Sequence, residues 1–94
     1  MRKFGDIIMK PVIMFVTEWC PYCKKALAWM DAIKKQNPQY ADIDVKIIDE
    51  ELHPDIAKKY TYYYVPTYYV DGVKVHEGAT SKSIITAVFE KALE

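Results

Sequence analysis

The sequence carries no surplus of charge: thirteen Lys and Arg side chains stand against thirteen Asp and Glu. Nucleic acid and anionic lipid select a basic surplus, so neither is an expected partner. Long apolar runs are missing too. The stretch from Ile7 to Val16 follows Asp6 and is broken by Lys10 and Pro11. It falls short of the roughly 18 residues a membrane span needs, and no small-residue cleavage site follows. A cytoplasmic protein is the expectation. Repeats, low-complexity tracts and linkers are absent, and 94 residues suffice for one core, so a single domain over residues 1–94 is expected. Soft metal ligands are scarce: two cysteines and two histidines. Two cysteines do not make the disulfide framework of a small secreted domain. A structural zinc site wants four ligands, and His53 and His76 stand single and far along the chain from the cysteines.

What is present is a close pair. Trp19-Cys20-Pro21-Tyr22-Cys23 places both cysteines between the strand-forming run Val12 to Val16 and a helical pattern. Proline suits the first position of a helix, which makes Cys20 the N-cap. Unpaired backbone N–H groups and the positive end of the helix dipole converge there. Such surroundings lower a thiol pKa from about 8.5 to roughly 3.5–7.5. Cys23 falls one turn deeper on the same side, within reach of a disulfide with Cys20. The pair supplies a nucleophilic sulfur and a second sulfur to resolve the mixed disulfide it forms. Lys24 and Lys25 add positive field, and Glu18 opposes it.

Along the chain, residues 1–6 read as a polar lead-in and Ile7 to Thr17 contains the first strand, apolar on both faces. Apolar residues at 23, 26, 27, 30 and 33 form one helical stripe from Pro21 to about Gln36, ended by Asn37-Pro38. A second strand spans Ile43 to Ile48. His53-Pro54 opens a short helix through about Tyr60, with Ile56, Ala57 and Tyr60 inward. Val65 to Val70, the Asp71-Gly72 turn and Val73 to His76 make a hairpin. Thr80 or Ser81 caps a last helix carrying Ile84, Ile85, Val88, Phe89 and Ala92 on one face. The order is β-α-β-α-β-β-α, with the first two strands parallel.

A cysteine pair opening the first helix of this element order resembles the thioredoxin fold, without the extra N-terminal strand and helix that thioredoxins carry. The resemblance runs from about Val12 to Leu93. It implies an α/β protein with a four-stranded mixed sheet and helices on both faces. Cys-Pro-Tyr-Cys is similar to the dithiol glutaredoxins, as is the chain length. Glu18, Trp19, Lys24, Pro66-Thr67 and Gly78-Ala79-Thr80-Ser81-Lys82 look like thioredoxin. Glutaredoxins usually have a lysine near position 17, here Thr17, and a Gly-Gly plus an acid where this chain has Glu77-Gly78-Ala79-Thr80-Ser81. Thioredoxins carry a buried aspartate where this chain has Met14.

The resemblance implies a glutaredoxin-like thiol–disulfide oxidoreductase that reduces protein or glutathione mixed disulfides and serves cell redox homeostasis. Cys20 is then the nucleophile and Cys23 the resolving thiol. Glutathione is the implied co-substrate, with no tightly bound cofactor; a flavin-dependent thioredoxin reductase is the alternative donor. Disulfide-containing proteins are the implied partners of a monomer. Pro66 is implied to follow a cis peptide bond and to sit against the cysteines, leaving the Val65 backbone free to receive an extended substrate as one more strand. Trp19, Pro21, Tyr22, Tyr64, Val65, Pro66, Gly78 and Thr80 form the implied substrate surface. Two other classes stay open: a metal- or cluster-binding module, and a partner-binding protein switched by its disulfide.

Six tyrosines lie between Tyr60 and Tyr69. Tyr60, Tyr68 and Tyr69 fit core positions. Tyr62, Tyr63 and Tyr64 cannot all be buried in so small a domain, and at least one is expected to wall the substrate groove beside Cys20. His53 and His76 read as a helix-start and a strand-edge residue.

Overall fold

A computed structural model describes residues 9–94. The expected lead-in at residues 1–6, and Ile7 and Ile8 of the first strand region, lie outside the described residues. Four strands form one mixed sheet in the order β2-β1-β3-β4. They are β1 (Val12–Val16), β2 (Val45–Asp49), β3 (Thr67–Val70) and β4 (Val73–Glu77). The helices are α1 (Pro21–Gln36), α2 (Pro54–Ala57) and α3 (Lys82–Leu93). Strand β1 pairs parallel with β2, Val12 opposite Val45, and antiparallel with β3, Val12 opposite Val70. Such a central strand is covered on both faces, which is why its five residues are all apolar.

Val12, Met14 and Val16 face one way, into a core with Ala26, Met30 and Ile33 of α1 and Ile85, Val88, Phe89 and Ala92 of α3. The opposite face carries Phe15, Ile48 and Tyr69, covered by Ile56, Ala57, Tyr60 and Tyr62. Helices therefore lie on both faces of the sheet. Tyr62 stacks on Phe15 and Tyr60 packs tilted against it, at ring-centre distances of 4.8 and 4.9 Å. Tyr68 and Tyr69 are both buried on opposite faces of β3, and the Tyr69 hydroxyl donates to the Thr61 carbonyl at 2.7 Å.

Several element ends differ from the sequence expectation, each for a local reason. Strand β2 starts at Val45, not Ile43. Ile43 sits buried in the turn after a single 3₁₀ turn at Pro38–Tyr40, its N–H given to the Tyr40 carbonyl. Helix α2 stops at Ala57. The next N–H groups bond tightly, Lys59 to Ile56 and Tyr60 to Ala57, and this tighter winding brings Tyr60 onto Phe15. Strand β3 begins at Thr67 because Pro66 has no N–H for the ladder. Ser81, not Thr80, caps α3, its hydroxyl accepting the Ile84 N–H at 3.2 Å. The Asp71-Gly72 turn has φ of 52° and 81° at its two residues, the pair of positive angles a two-residue hairpin needs. Strand β4 is an edge strand with a bulge facing Tyr68 and Tyr69 of β3.

Candidate active site

Where β1 ends and α1 begins, Cys20 has extended backbone angles (φ −80°, ψ 113°) and Pro21 takes the first helical position. The Cys20 Sγ accepts the Cys23 N–H at 3.2 Å, so the thiol does the capping work usually given to a serine or aspartate oxygen. The Cys20 carbonyl accepts the Lys24 N–H, and its own N–H donates to the Thr17 carbonyl. Cys23 lies one turn deeper in α1, close enough for its backbone N–H to reach the Cys20 sulfur. Both are free thiols, buried beneath their neighbours.

The two sulfurs do not share one environment. Burial pushes the Cys23 thiol up to about 12, the hydrogen bond with Cys20 adds to this, and a backbone hydrogen bond at Thr17 opposes it. The charges of Cys20 and Glu50 push the same way. Burial thus keeps the proton on Cys23 at ordinary pH. Tyr68, packed against the same region with its hydroxyl 3.3 Å from Met30 Sδ, is also shifted up, first by burial and then by Cys23.

Opposite the cysteines, the Val65–Pro66 bond is cis and Pro66 is buried. The Val65 carbonyl oxygen lies 3.8 Å from Cys20 Sγ, across 45 residues of sequence. Around the thiols the surface is aromatic: Trp19 is 68 % exposed, Tyr22 55 % and Tyr64 70 %. Trp19 is held from outside, its Nε1 donating to Glu51 Oε2 at 3.2 Å. The Asp49 carboxylate accepts the Glu51 and Leu52 N–H groups and orders that loop.

The three consecutive tyrosines divide. Tyr62 turns to the α2 face, stacks on Phe15 and donates its hydroxyl to Glu50 at 2.7 Å. Tyr63 and Tyr64 stay in solvent. Tyr63 lines an open pocket of about 450 Å³ with Glu50, Glu51, Tyr60 and Tyr62. Tyr64 lies beside Gly78, whose φ of +93° is a left-handed angle that suits glycine and whose N–H donates to the Pro66 carbonyl at 2.8 Å. Thr80 lies half-buried in the turn to α3, and its hydroxyl finds only the neighbouring Ser81 carbonyl at 3.4 Å. The sequence-predicted residues Cys20, Cys23, Val65 and Pro66 are thus brought together, with Gly78 tied to them through Pro66.

Sequence reasoning missed four residues here. Glu50, Glu51 and Glu77 make side-chain bonds to the loops around the thiols, and Thr17 has the one buried side-chain oxygen without a partner among the described residues. No spacing rule marks a surface glutamate that bonds a remote loop. His53 stands at the start of α2 and His76 in β4, its Nε2 2.8 Å from the Ala79 carbonyl oxygen. Among the described residues there is no group of three or more His, Cys, Asp and Glu side chains placed to hold a metal ion. No described helix is long and apolar enough to cross a membrane.

Comparison with known proteins follows the same geometry. The family model for the thioredoxin domain matches residues 10–90. No curated protein matches the chain. Among solved structures, oxidised thioredoxin O1 of Arabidopsis thaliana is 20 % identical with a TM-score of 0.69, over 93 % of this chain and 80 % of that one. Oxidised thioredoxin from Plasmodium falciparum is 23 % identical with a TM-score of 0.68, over 97 % and 90 %. Malassezia sympodialis thioredoxin gives 20 % identity and a TM-score of 0.71, over 97 % and 84 %. At these identities the likeness speaks to the fold, a four-stranded α/β thioredoxin fold. With the matching model spanning most of its length, the chain belongs to the thioredoxin domain family.

Proposed function

We propose that the protein is a thiol–disulfide oxidoreductase that reduces disulfides of other proteins through Cys20 and Cys23. One observation carries the reading: two free thiols one helical turn apart, the first accepting an N–H at the helix start and set against the Val65 carbonyl oxygen.

The cycle begins when the Cys20 sulfur, as its anion, attacks one sulfur of a partner disulfide. That S–S bond breaks, and the departing partner sulfur takes up a proton. As Cys20 becomes a neutral mixed disulfide, its charge and its hydrogen bond no longer add to the burial that raises Cys23, and the Cys23 proton is held less tightly. Cys23 then gives up its proton and attacks Cys20 Sγ. The mixed disulfide breaks, the partner leaves as a dithiol, and Cys20–Cys23 is the oxidised form. Two electrons have passed to the partner, and an external reductant returns two electrons and two protons. The partner backbone lies along Val65, with Trp19, Tyr22 and Tyr64 as an apolar rim.

For the electron donor, the first reading is a flavin-dependent thioredoxin reductase. The matching family model and the flanks at Trp19 and Gly78–Lys82 support it, as does the commitment of the Gly78 N–H to Pro66. Glutathione is the second reading, favoured by Cys-Pro-Tyr-Cys and the chain length. Turnover of a disulfide protein with NADPH and thioredoxin reductase, set against NADPH, glutathione and glutathione reductase, decides between them. Faster turnover with the first system is expected; turnover with glutathione alone reverses the assignment, and turnover with neither removes the oxidoreductase reading.

A further inference from the structure

Glu77 ends β4, away from both cysteines in sequence, and the cycle above makes no use of it. Its carboxylate is nonetheless the busiest polar group near the site. Oε2 accepts the backbone N–H of Tyr63 and, at 2.9 Å, that of Tyr64. Oε1 accepts from Lys74 Nζ at 2.7 Å. Two successive amides aimed at one oxygen form a small anion-binding concavity, and Lys74 completes the charge balance. On the next turn of chain, Gly78 gives its N–H to Pro66, and the Thr67 hydroxyl donates to the Tyr64 carbonyl. Residues 63–67 are therefore tied down from β4 and from within. The one carbonyl of that segment facing a cysteine is that of Val65.

We infer that Glu77 is a positioning residue for substrate docking: it fixes the Tyr63–Tyr64 backbone, and so the Val65 edge on which a partner strand is laid. This rests on the disulfide-reductase reading of the Cys20–Cys23 pair. A binding edge made of backbone works only if it is ordered beforehand, since ordering it at encounter subtracts from affinity. The carboxylate supplies that order without touching substrate or sulfur. Its lowered pKa, about 2, held down first by Lys74 and then by the two amides, keeps the charge in place across ordinary pH. The ion pair with Lys74 lies at the surface and by itself contributes little to folding.

The test compares Glu77→Ala, Glu77→Gln and Lys74→Ala with the unaltered protein. Steady-state reduction of insulin disulfides is measured with dithiothreitol as electron source. The rate with 5,5′-dithiobis(2-nitrobenzoate), a small disulfide with no strand to dock, and the thermal midpoint are measured alongside. In Glu77→Ala the KM for insulin rises about tenfold, the loss of two hydrogen bonds to a charged group transmitted to the edge. kcat, the small-disulfide rate and the midpoint stay near their starting values. Glu77→Gln, which keeps an acceptor oxygen, recovers most of the KM, and Lys74→Ala, which leaves the amides bonded, changes it least. An unchanged insulin KM in Glu77→Ala overturns the inference while leaving the reductase reading intact. A parallel fall in both rates and in the midpoint overturns it as well, in favour of a folding role. If the unaltered protein itself reduces no insulin, the reductase reading falls and this inference with it.

Discussion

One face of the sheet is covered by two long helices, the other by a four-residue helix and a pair of tyrosines. On the first face Met30, Ile33, Ile85, Val88 and Phe89 interlock with Val12, Met14 and Val16, and each is almost fully removed from water. On the second, Tyr60 and Tyr62 lie half-buried over Phe15, and the Tyr62 hydroxyl donates to Glu50. The first face is a core; the second is a lid of rings. The lid belongs to the segment that runs on through Tyr63 and Tyr64 to Val65 and Pro66. The thinly covered face thus carries the loop that meets the thiols, while the densely packed face fixes the helix that bears them. Marginally buried elements open at low cost, and binding loops are drawn from them.

The contrast is broken most easily by truncation. Phe89→Ala is expected to lose about 3–5 kcal/mol in urea unfolding, the range for a large buried ring. Tyr60→Ala, half-buried, loses roughly 1–2 kcal/mol for the smaller area removed from water. Equal losses would erase the distinction between core and lid.

A second prediction uses pH. Cys23 sits in the core face, where burial pushes its thiol up from the ordinary 9.0 to about 12. Between those values the unfolded chain has released this proton and the folded chain has kept it. Stability of the dithiol form therefore falls as pH rises from 9 towards 12, and below 9 this contribution is constant. Urea unfolding at pH 8 and pH 10 is expected to show a steeper decline for the unaltered protein than for Cys23→Ser. Identical declines would mean that the core does not hold the proton. On the lid face Tyr62 is also shifted up, by burial first and by its bond to Glu50 second.

The smallest effect is expected at the junction of the two regions. Thr17 follows β1 with its hydroxyl buried and unpartnered. Thr17→Val keeps the shape and removes that oxygen, for a gain of about 1 kcal/mol. A loss of that size would show the hydroxyl to be bonded in solution.

Much of this was legible in the sequence because it rests on period and on proline. The stripe at 23, 26, 27, 30 and 33 placed α1 from Pro21 to about Gln36, with all of these but Leu27 buried, and Pro21 after Cys20 marked the cap. Asp71-Gly72 gave the hairpin. Ends set by tertiary contacts were not legible: Ile43 reads as strand and is turn, and the α2 pattern runs past Ala57. Of three consecutive tyrosines, alternation alone could not say that Tyr62 turns inward and Tyr63 and Tyr64 outward. Phe15, 47 residues earlier, and Glu50 make that choice. Glu77 was silent for the same reason: its partners are backbone amides, which every sequence has.

The central claim is that the capping sulfur attacks and the deeper one releases. Cys20→Ser and Cys23→Ser proteins, each mixed with a disulfide-containing protein, can be separated without reductant and the linked cysteine located by mass spectrometry. The account predicts a covalent adduct through Cys20 in the Cys23→Ser protein, released by dithiothreitol, and none in Cys20→Ser. Adducts in equal yield through Cys23 in the Cys20→Ser protein, or no adduct in either, would contradict it.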